Sequence, residues 1–402
     1  MAPCGCQPPV MIRPSLPDLP MVMSTVPSDL AAWLTGTLIS TWATRAVRPG
    51  EPGYLEYLSA EGRPDPTPRR STLVTARLVY VFAHAHCLDP NGPGLAAARH
   101  GYDFLIRRCA DADGRFRHAV MPDGTAIDDR SDLYDLAFVL FACAWYARAT
   151  GEAEPLARAE QVMGFIEDRL AADHGGFAED SAGALPRRQN PHMHLLEACH
   201  ALAETSGAQR WLDCADGLVE LLRTRLLDPA TGTLGEFFTA DWQPAAGAAG
   251  ALREPGHHFE WVWLLHHHAR LTGRCDLAAI AERLHGFGQA HGIVRAPEGW
   301  PLALDGVDRR GVPVATTRLL WPQTEAIKAE VARIEFLSDA GARDRLDGHL
   351  AALFQYWLDA DTGLWVNQLD ATNRPIPAAL PVRVLYHVVL ALAETVRVTA
   401  MA

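Results

Sequence analysis

Three absences set the first limits on this 402-residue chain. No apolar run reaches the roughly 18 residues that a membrane-spanning helix needs. No basic run occurs either. Lys and Arg are scattered and the net charge is −12, the wrong sign for a surface that neutralises phosphates, so a nucleic-acid partner is excluded. Third, there is no CxxC pair among the eight cysteines, Cys4, Cys6, Cys87, Cys109, Cys143, Cys199, Cys214 and Cys275. Most sit inside apolar helical runs, as in Phe141-Ala142-Cys143-Ala144. They read as reduced, buried small hydrophobes of a cytoplasmic protein. Cys4-Gly5-Cys6 is too tight for a ready disulfide. A clean apolar segment is also missing from residues 1–27, which are rich in Pro and Met, so no signal peptide is read there. Those residues read as a disordered extension, and 28–402 as one domain.

What is present is an ordinary globular composition, 49% hydrophobic and 21% charged, arranged in repeating helices. Helical periodicity starts at Ser28-Asp29-Leu30, with Ser28 as the expected N-cap. Apolar helices then end at a recurring signal. Gly92, Gly151, Gly207, Gly273 and Gly341 follow one another at spacings of 59, 56, 66 and 68 residues. Glycine after a helix is the usual C-cap. A second, amphipathic helix follows each glycine, and short segments with turn signals lie between units, such as 232–238, expected as small hairpins on one face. A period near 60 holding two helices is a helix-pair repeat, and about six pairs are present. The first helix of each pair is apolar all round and should be buried, while the second should be outer. Six pairs predict an all-α (α/α)6 barrel of six inner and six outer helices. An open solenoid would leave the ends of an apolar inner layer uncapped.

In such a ring the inner helices run the same way, so their first turns meet at one mouth. Those turns carry Arg77; Tyr134 and Asp135; Asn190, His192, His194 and Glu197; His257, His258 and Glu260; Trp321, Gln323, Glu325 and Lys328; and Arg383, Tyr386 and His387. Convergent titratable groups are what a pocket for a polar small molecule requires. His192 and His194 are two apart, so only one should face inward. His258 reads as support, and His266-His267-His268, two turns further on, as structural or solvated. His194-x-x-Glu197 and His257-x-x-Glu260 also have the i, i+3 spacing of metal ligands on facing helices. Spacing alone leaves that reading open beside dipole chemistry for each glutamate.

The segments Asn190-Pro191-His192-Met193-His194-Leu195-Leu196-Glu197-Ala198, Glu254-Pro255-Gly256-His257-His258-Phe259-Glu260-Trp261, Trp321-Pro322-Gln323-Thr324-Glu325 and Tyr386-His387 resemble the N-acylglucosamine 2-epimerase superfamily. The wording is most similar to its D-mannose isomerase branch, an aldose–ketose isomerase branch that neighbours the sulfoquinovose isomerases. The resemblance covers about residues 28 to 398, in order. It implies an (α/α)6 barrel and isomerisation of an aldose at C1/C2 without metal or other cofactor. It implies acid/base roles for His257 and His387, with His194 as the third histidine. Asn190, Arg77, Glu260, Trp321 and Glu325 match sugar-contacting positions, while Arg383 and Arg253 lie where branches differ. Tyr134-Asp135-Leu136-Ala137-Phe138 has Leu where the epimerase branch has Gln. The expected partner is one monosaccharide, D-mannose or D-fructose or a related aldose such as lyxose, bound by a monomer or homodimer. A 2-epimerase of mannose and glucose, or of N-acylhexosamines, would use the same residues. A glycoside hydrolase using Glu260 and Glu325, or a non-catalytic sugar-binding barrel, are the rival classes.

Overall fold

A computed structural model describes residues 24–400 except Pro49, Ala112 and Ser338. Six buried helices form the inner layer: Thr72–Leu88, Leu133–Thr150, Asn190–Ser206, Pro255–Thr272, Leu320–Leu337 and Leu385–Ala400. Each packs on the next, and the sixth packs back on the first. That last contact closes the ring and excludes the solenoid. The outer layer holds Gly94–Phe104, Glu154–Arg169, Gln209–Leu221, Ala278–Phe287 and Ala342–Tyr356. Its remaining member is the helical run Leu30–Ala32, Trp33–Ile39 and Ser40–Arg45, which packs on the sixth inner helix. The (α/α)6 expectation therefore holds.

Patterning decides the layer. Residues 135 to 144 of the second inner helix are all buried, because apolar side chains point in every direction around it. Gln209–Leu221 buries Trp211, Ala215, Leu218 and Val219, one stripe at i, i+4, i+7 and i+8. Each large side chain on such a stripe contributes about 1.5–3 kcal/mol by leaving water.

The expected glycine caps hold at three of five positions. Gly151, Gly207 and Gly273 are left-handed, and each amide donates 2.8 Å to a carbonyl of the last turn. Gly341 has φ −83° and precedes the next helix instead. The first inner helix stops at Leu88 with Asp89 extended, so Gly92 caps nothing. At the start of the chain Asp29, not Ser28, is the N-cap: its carboxylate accepts from Ala32 N–H at 2.9 Å. Residues 1–23 of the expected extension lie outside the described residues. Ser24 is anchored, its amide donating to Phe354 O and its hydroxyl accepting from Ala360 N–H. Cys109, Cys143 and Cys199 are buried as expected, whereas Cys87 and Cys275 are exposed, and all six described cysteines are free thiols. No helix among the described residues is long and apolar enough to cross a membrane.

The segments expected as hairpins do more than fold back locally. A short strand or bridge residue stands directly before every inner helix and pairs antiparallel with the segment before the next one. The links are 70–71 with 119–120, 132 with 180, 187–188 with 237–238, 252–253 with 307–308, 318–319 with 368–369, and 380–381 with 57–58. The sixth link returns to the first unit. The result is a closed belt of backbone pairings around one end of the barrel, and it fixes where each inner helix begins.

Candidate active site

Inside the belt lies a cavity of about 700 Å³. Arg77, Tyr134, Asn190, His194, His257, Glu260, Trp321, Arg383 and His387 line it. Glu325, expected to touch the sugar, does not line it; the helix turn carries it behind His387.

His257 sits in the first turn of its helix, and its Nδ1 lies 2.8 Å from Glu236 Oε2 and 3.3 Å from Glu254 Oε2. Burial works against a charged imidazole, but the two carboxylates outweigh it and lift His257 to about 10. It is an imidazolium at neutral pH. Since Nδ1 is held by carboxylate, Nε2–H is its free donor. Gly256 makes the position possible: a Cβ there would come within 2.4 Å of the Trp321 ring. Trp321 in turn lies between the two histidines, 4.8 Å from the ring of His257 and 5.7 Å from that of His387.

His387 is the electrostatic opposite. Burial, then the cations Arg77 and Lys328, hold it well below the usual histidine range. Its Nδ1 lies 2.7 Å from Glu325 Oε1. Burial raises Glu325 and so does Glu260, against the Lys328 ammonium 2.7 Å from Oε2. With that ammonium on one oxygen, the other accepts the Nδ1–H of His387, leaving Nε2 as an unprotonated acceptor. Lys328 is the only lysine in the chain. It is fully buried, 3.4 Å from Glu260 Oε1, and its carboxylate neighbours outweigh desolvation and keep it charged.

His194 is neutral as well, lowered to about 3 chiefly by burial. Its Nδ1 lies 3.1 Å from Glu197 Oε2, an oxygen that also accepts from Tyr386 Oη–H at 2.5 Å. Arg77 is buried against the Phe138 ring at 4.2 Å and donates to Tyr134 Oη at 2.6 Å and Arg383 O at 3.3 Å. Among the described residues it has no carboxylate partner. A buried guanidinium without an anion favours one at the site. Asn190 adds a buried Oδ1 that no protein group meets.

Several expected residues turn out to be structural. His192 Nε2 accepts from Phe177 N–H, and His258 bridges Leu234 N–H to Glu254 O. Gln323 pins Ala303 through its amide N–H and O. Glu260, three residues after His257, faces Lys328 and His194. The groups that do orient His257 were missed. Glu236 stands on the belt, in the 232–238 segment, and Glu254 precedes its helix; a search confined to helix turns passes over both. His118, 2.7 Å from Asp135, is another belt residue at the cavity. Burial raises Asp135 to about 6, and the same pairing raises His118.

Three groups bring enough ligand atoms together for a cation: His194 with Glu197 and Glu260, His257 with Glu236 and Glu254, and His387 with Glu260 and Glu325. The expected His257-x-x-Glu260 pair is not among them. Each group already contains or adjoins a protein cation, Lys328 for the first and third and the His257 imidazolium for the second. Part of their carboxylate charge is thus met by a protein cation.

Residues 53–391 match the model of the N-acylglucosamine 2-epimerase (GlcNAc 2-epimerase) family. A mannose-6-phosphate isomerase of Rhizobium meliloti is 34% identical over 374 residues, covering 91% of this chain and 95% of the relative. A D-mannose isomerase of Thermobifida fusca is 30% identical over 381 residues, covering 89% and 91%. The solved cellobiose 2-epimerase of Spirochaeta thermophila superposes with a TM-score of 0.81 at 25% identity, over 93% of this chain and 96% of that one. A matched span of this length, with relatives of this identity, means that the chain belongs to the N-acylglucosamine 2-epimerase family and is an enzyme acting on sugars, an isomerase or epimerase.

Proposed function

We propose that the chain interconverts D-mannose and D-fructose through ring opening and a cis-enediol(ate). One observation carries this reading: the two histidines flanking Trp321 sit in opposite electrostatic settings, His257 against the carboxylates of Glu236 and Glu254, which favour its charged form, and His387 against a Glu325 already held by Lys328, where burial and nearby cations favour its neutral form. An aldose–ketose isomerase needs one acid and one base. His257 Nε2–H gives a proton to O5 as the C1–O5 bond breaks, and the O1 proton returns to it. His387 Nε2 removes the C2 proton of the open aldehyde. Negative charge develops on O1, and Arg77 supplies the unmet positive charge there. A proton passes from O2 to O1, and the His387 imidazolium returns its proton to C1, giving the ketose. His194 presents an acceptor to the cavity, because its Nδ1–H is committed to Glu197; it holds a sugar hydroxyl.

Seven carboxylates line the cavity against four guanidinium groups, which favours a neutral sugar over a phosphorylated one. The mannose-6-phosphate isomerase relative and Arg383 at the rim, whose guanidinium has no ion-pair partner among the described residues, motivate the direct comparison. A 2-epimerase is the second reading, since His194 is a second neutral imidazole in the same cavity. Incubation with D-mannose, followed by separation of the products, tests both. Fructose without glucose is expected. Glucose as the main product overturns the isomerase reading, and faster turnover of mannose 6-phosphate overturns the neutral-sugar reading.

A further inference from the structure

The barrel encloses a second chamber of about 330 Å³ at its other end, lined by the C-terminal halves of all six inner helices. Nothing in the isomerase reading uses it. We propose that this lower chamber is a second ligand site, built for one small neutral polyhydroxylated molecule such as a single sugar ring.

Three side chains of its wall each carry a buried polar atom without a partner among the described residues: Glu197 Oε1, His200 Nδ1 and Trp145 Nε1. Glu197 and His200 are each 2% exposed. The proton pattern at His200 follows from its neighbours. Asp216 Oδ1 accepts from His268 Nε2–H at 3.0 Å, so His268 Nδ1 accepts from His200 Nε2–H, also at 3.0 Å. His200 Nδ1 is then left as a lone-pair acceptor. The wall thus offers two acceptors and one indole donor, the complement of a polyol that both donates and accepts. An unmet buried polar atom is unfavourable, and a bound hydroxyl that reaches it removes that cost.

The rest of the lining selects the ligand class. Phe141, Trp145 and Trp263 supply apolar ring faces for C–H groups. The charged groups are already satisfied by one another: Arg148 and Arg270 meet Glu204, and Arg397 meets Glu335 and Glu394. No guanidinium there waits for an anion, and Glu204, Glu335 and Glu394 are each held by at least one of the three guanidinium groups. The volume lies near the lower end for a small-molecule pocket and suits one ring rather than a disaccharide. Glu197 lines the lower chamber, and its Oε2 takes Tyr386 and His194, the latter a wall residue of the upper cavity, while its Oε1 is unmet.

Indole N–H resonances of the full-length 15N-labelled enzyme test the proposal. The probe is methyl α-D-mannopyranoside, a ring that cannot open and so is not turned over. The Trp145 signal is identified by its loss in Trp145→Phe. A saturable shift of that signal, with a Kd on the order of millimolar, is expected. Ala201→Phe fills the chamber from its wall and should abolish the Trp145 shift while leaving any Trp321 shift intact. A circular dichroism melt checks that this variant is folded, and Ala201→Leu replaces it if it is not. No saturable shift up to about 0.1 M means the chamber holds water only and overturns the proposal. So does a Trp145 shift that survives the filling variant, and so does a response to ethylammonium chloride without one to the glycoside. None of these readouts depends on which sugar the upper cavity converts.

Discussion

Replacing Lys328 by Met separates the electrostatic argument from a purely structural one. The ammonium lies 2.7 Å from Glu325 and 3.4 Å from Glu260, all three side chains at most 1% exposed. Met keeps the stem and its packing under Trp263, whose ring lies 4.6 Å from Nζ, but removes the charge. Breaking a buried pair by deleting one partner costs about 3–5 kcal/mol, because the other charge is stranded. For a chain of 402 residues, at about 2.1 cal/mol/K of unfolding entropy per residue, that loss lowers the melting midpoint by about 4–6 °C. A second consequence is independent of stability. Lys328 is one of the cations holding His387 below its ordinary range, so its removal raises His387. The base is then neutral only at higher pH, and the acid limb of kcat/KM moves upward. Differential scanning calorimetry and a pH–rate profile measure the two effects. An acid limb that stays put or moves downward would show that Lys328 does not tune His387, whatever the melting point does.

Five further outcomes follow from the site. His387→Ala and His257→Ala should each lower kcat by at least about 10²-fold with unchanged circular dichroism, and retained turnover in either sinks the acid/base pairing. Glu236→Gln removes one of the carboxylates that lift His257, so the basic limb of kcat/KM should fall by about 1–3 pH units; an upward move contradicts the assignment of His257 as the acid. The same pairing is a stability term, since a raised folded-state pKa favours the fold fully below about 6.5 and loses that contribution as pH rises through about 10, which urea titrations across that window detect. Arg77→Lys keeps the charge but not the fork that reaches Tyr134 and Arg383, and kcat should drop about 10²–10³-fold while KM moves little. Activity should survive exhaustive chelation, and loss restored by a divalent ion would return the metal reading.

The repeat of apolar and amphipathic helices was legible because burial on all sides leaves a pattern in every turn. The mouth was legible for the same reason: Arg77, His194, His257 and His387 interrupt apolar helices at one end. The partners were not. Glu236 lies 21 residues before His257, directly ahead of the two-residue strand 237–238, and the pairing of that strand with 187–188 brings it to the cavity. Glu325 looked like its neighbours on the helix start, yet a difference of direction around one turn puts it behind the wall. Gly341 and Gly92 resembled the other caps, but the chain leaves those helices without entering the left-handed region. Local composition gives the element; it does not give the rotation or the non-local pairing that finishes a site.

The belt that joins 380–381 back to 57–58 has a mechanical meaning. Each link spans only one or a few residues and would hold little alone. A hoop without an end, however, offers no place from which to peel. To spread one pair of helix starts, the strain must pass into both neighbouring links and on around the rim. The separation between His257 and His387 is then set by the circumference of the whole molecule, so that wear at any one loop is shared by the six.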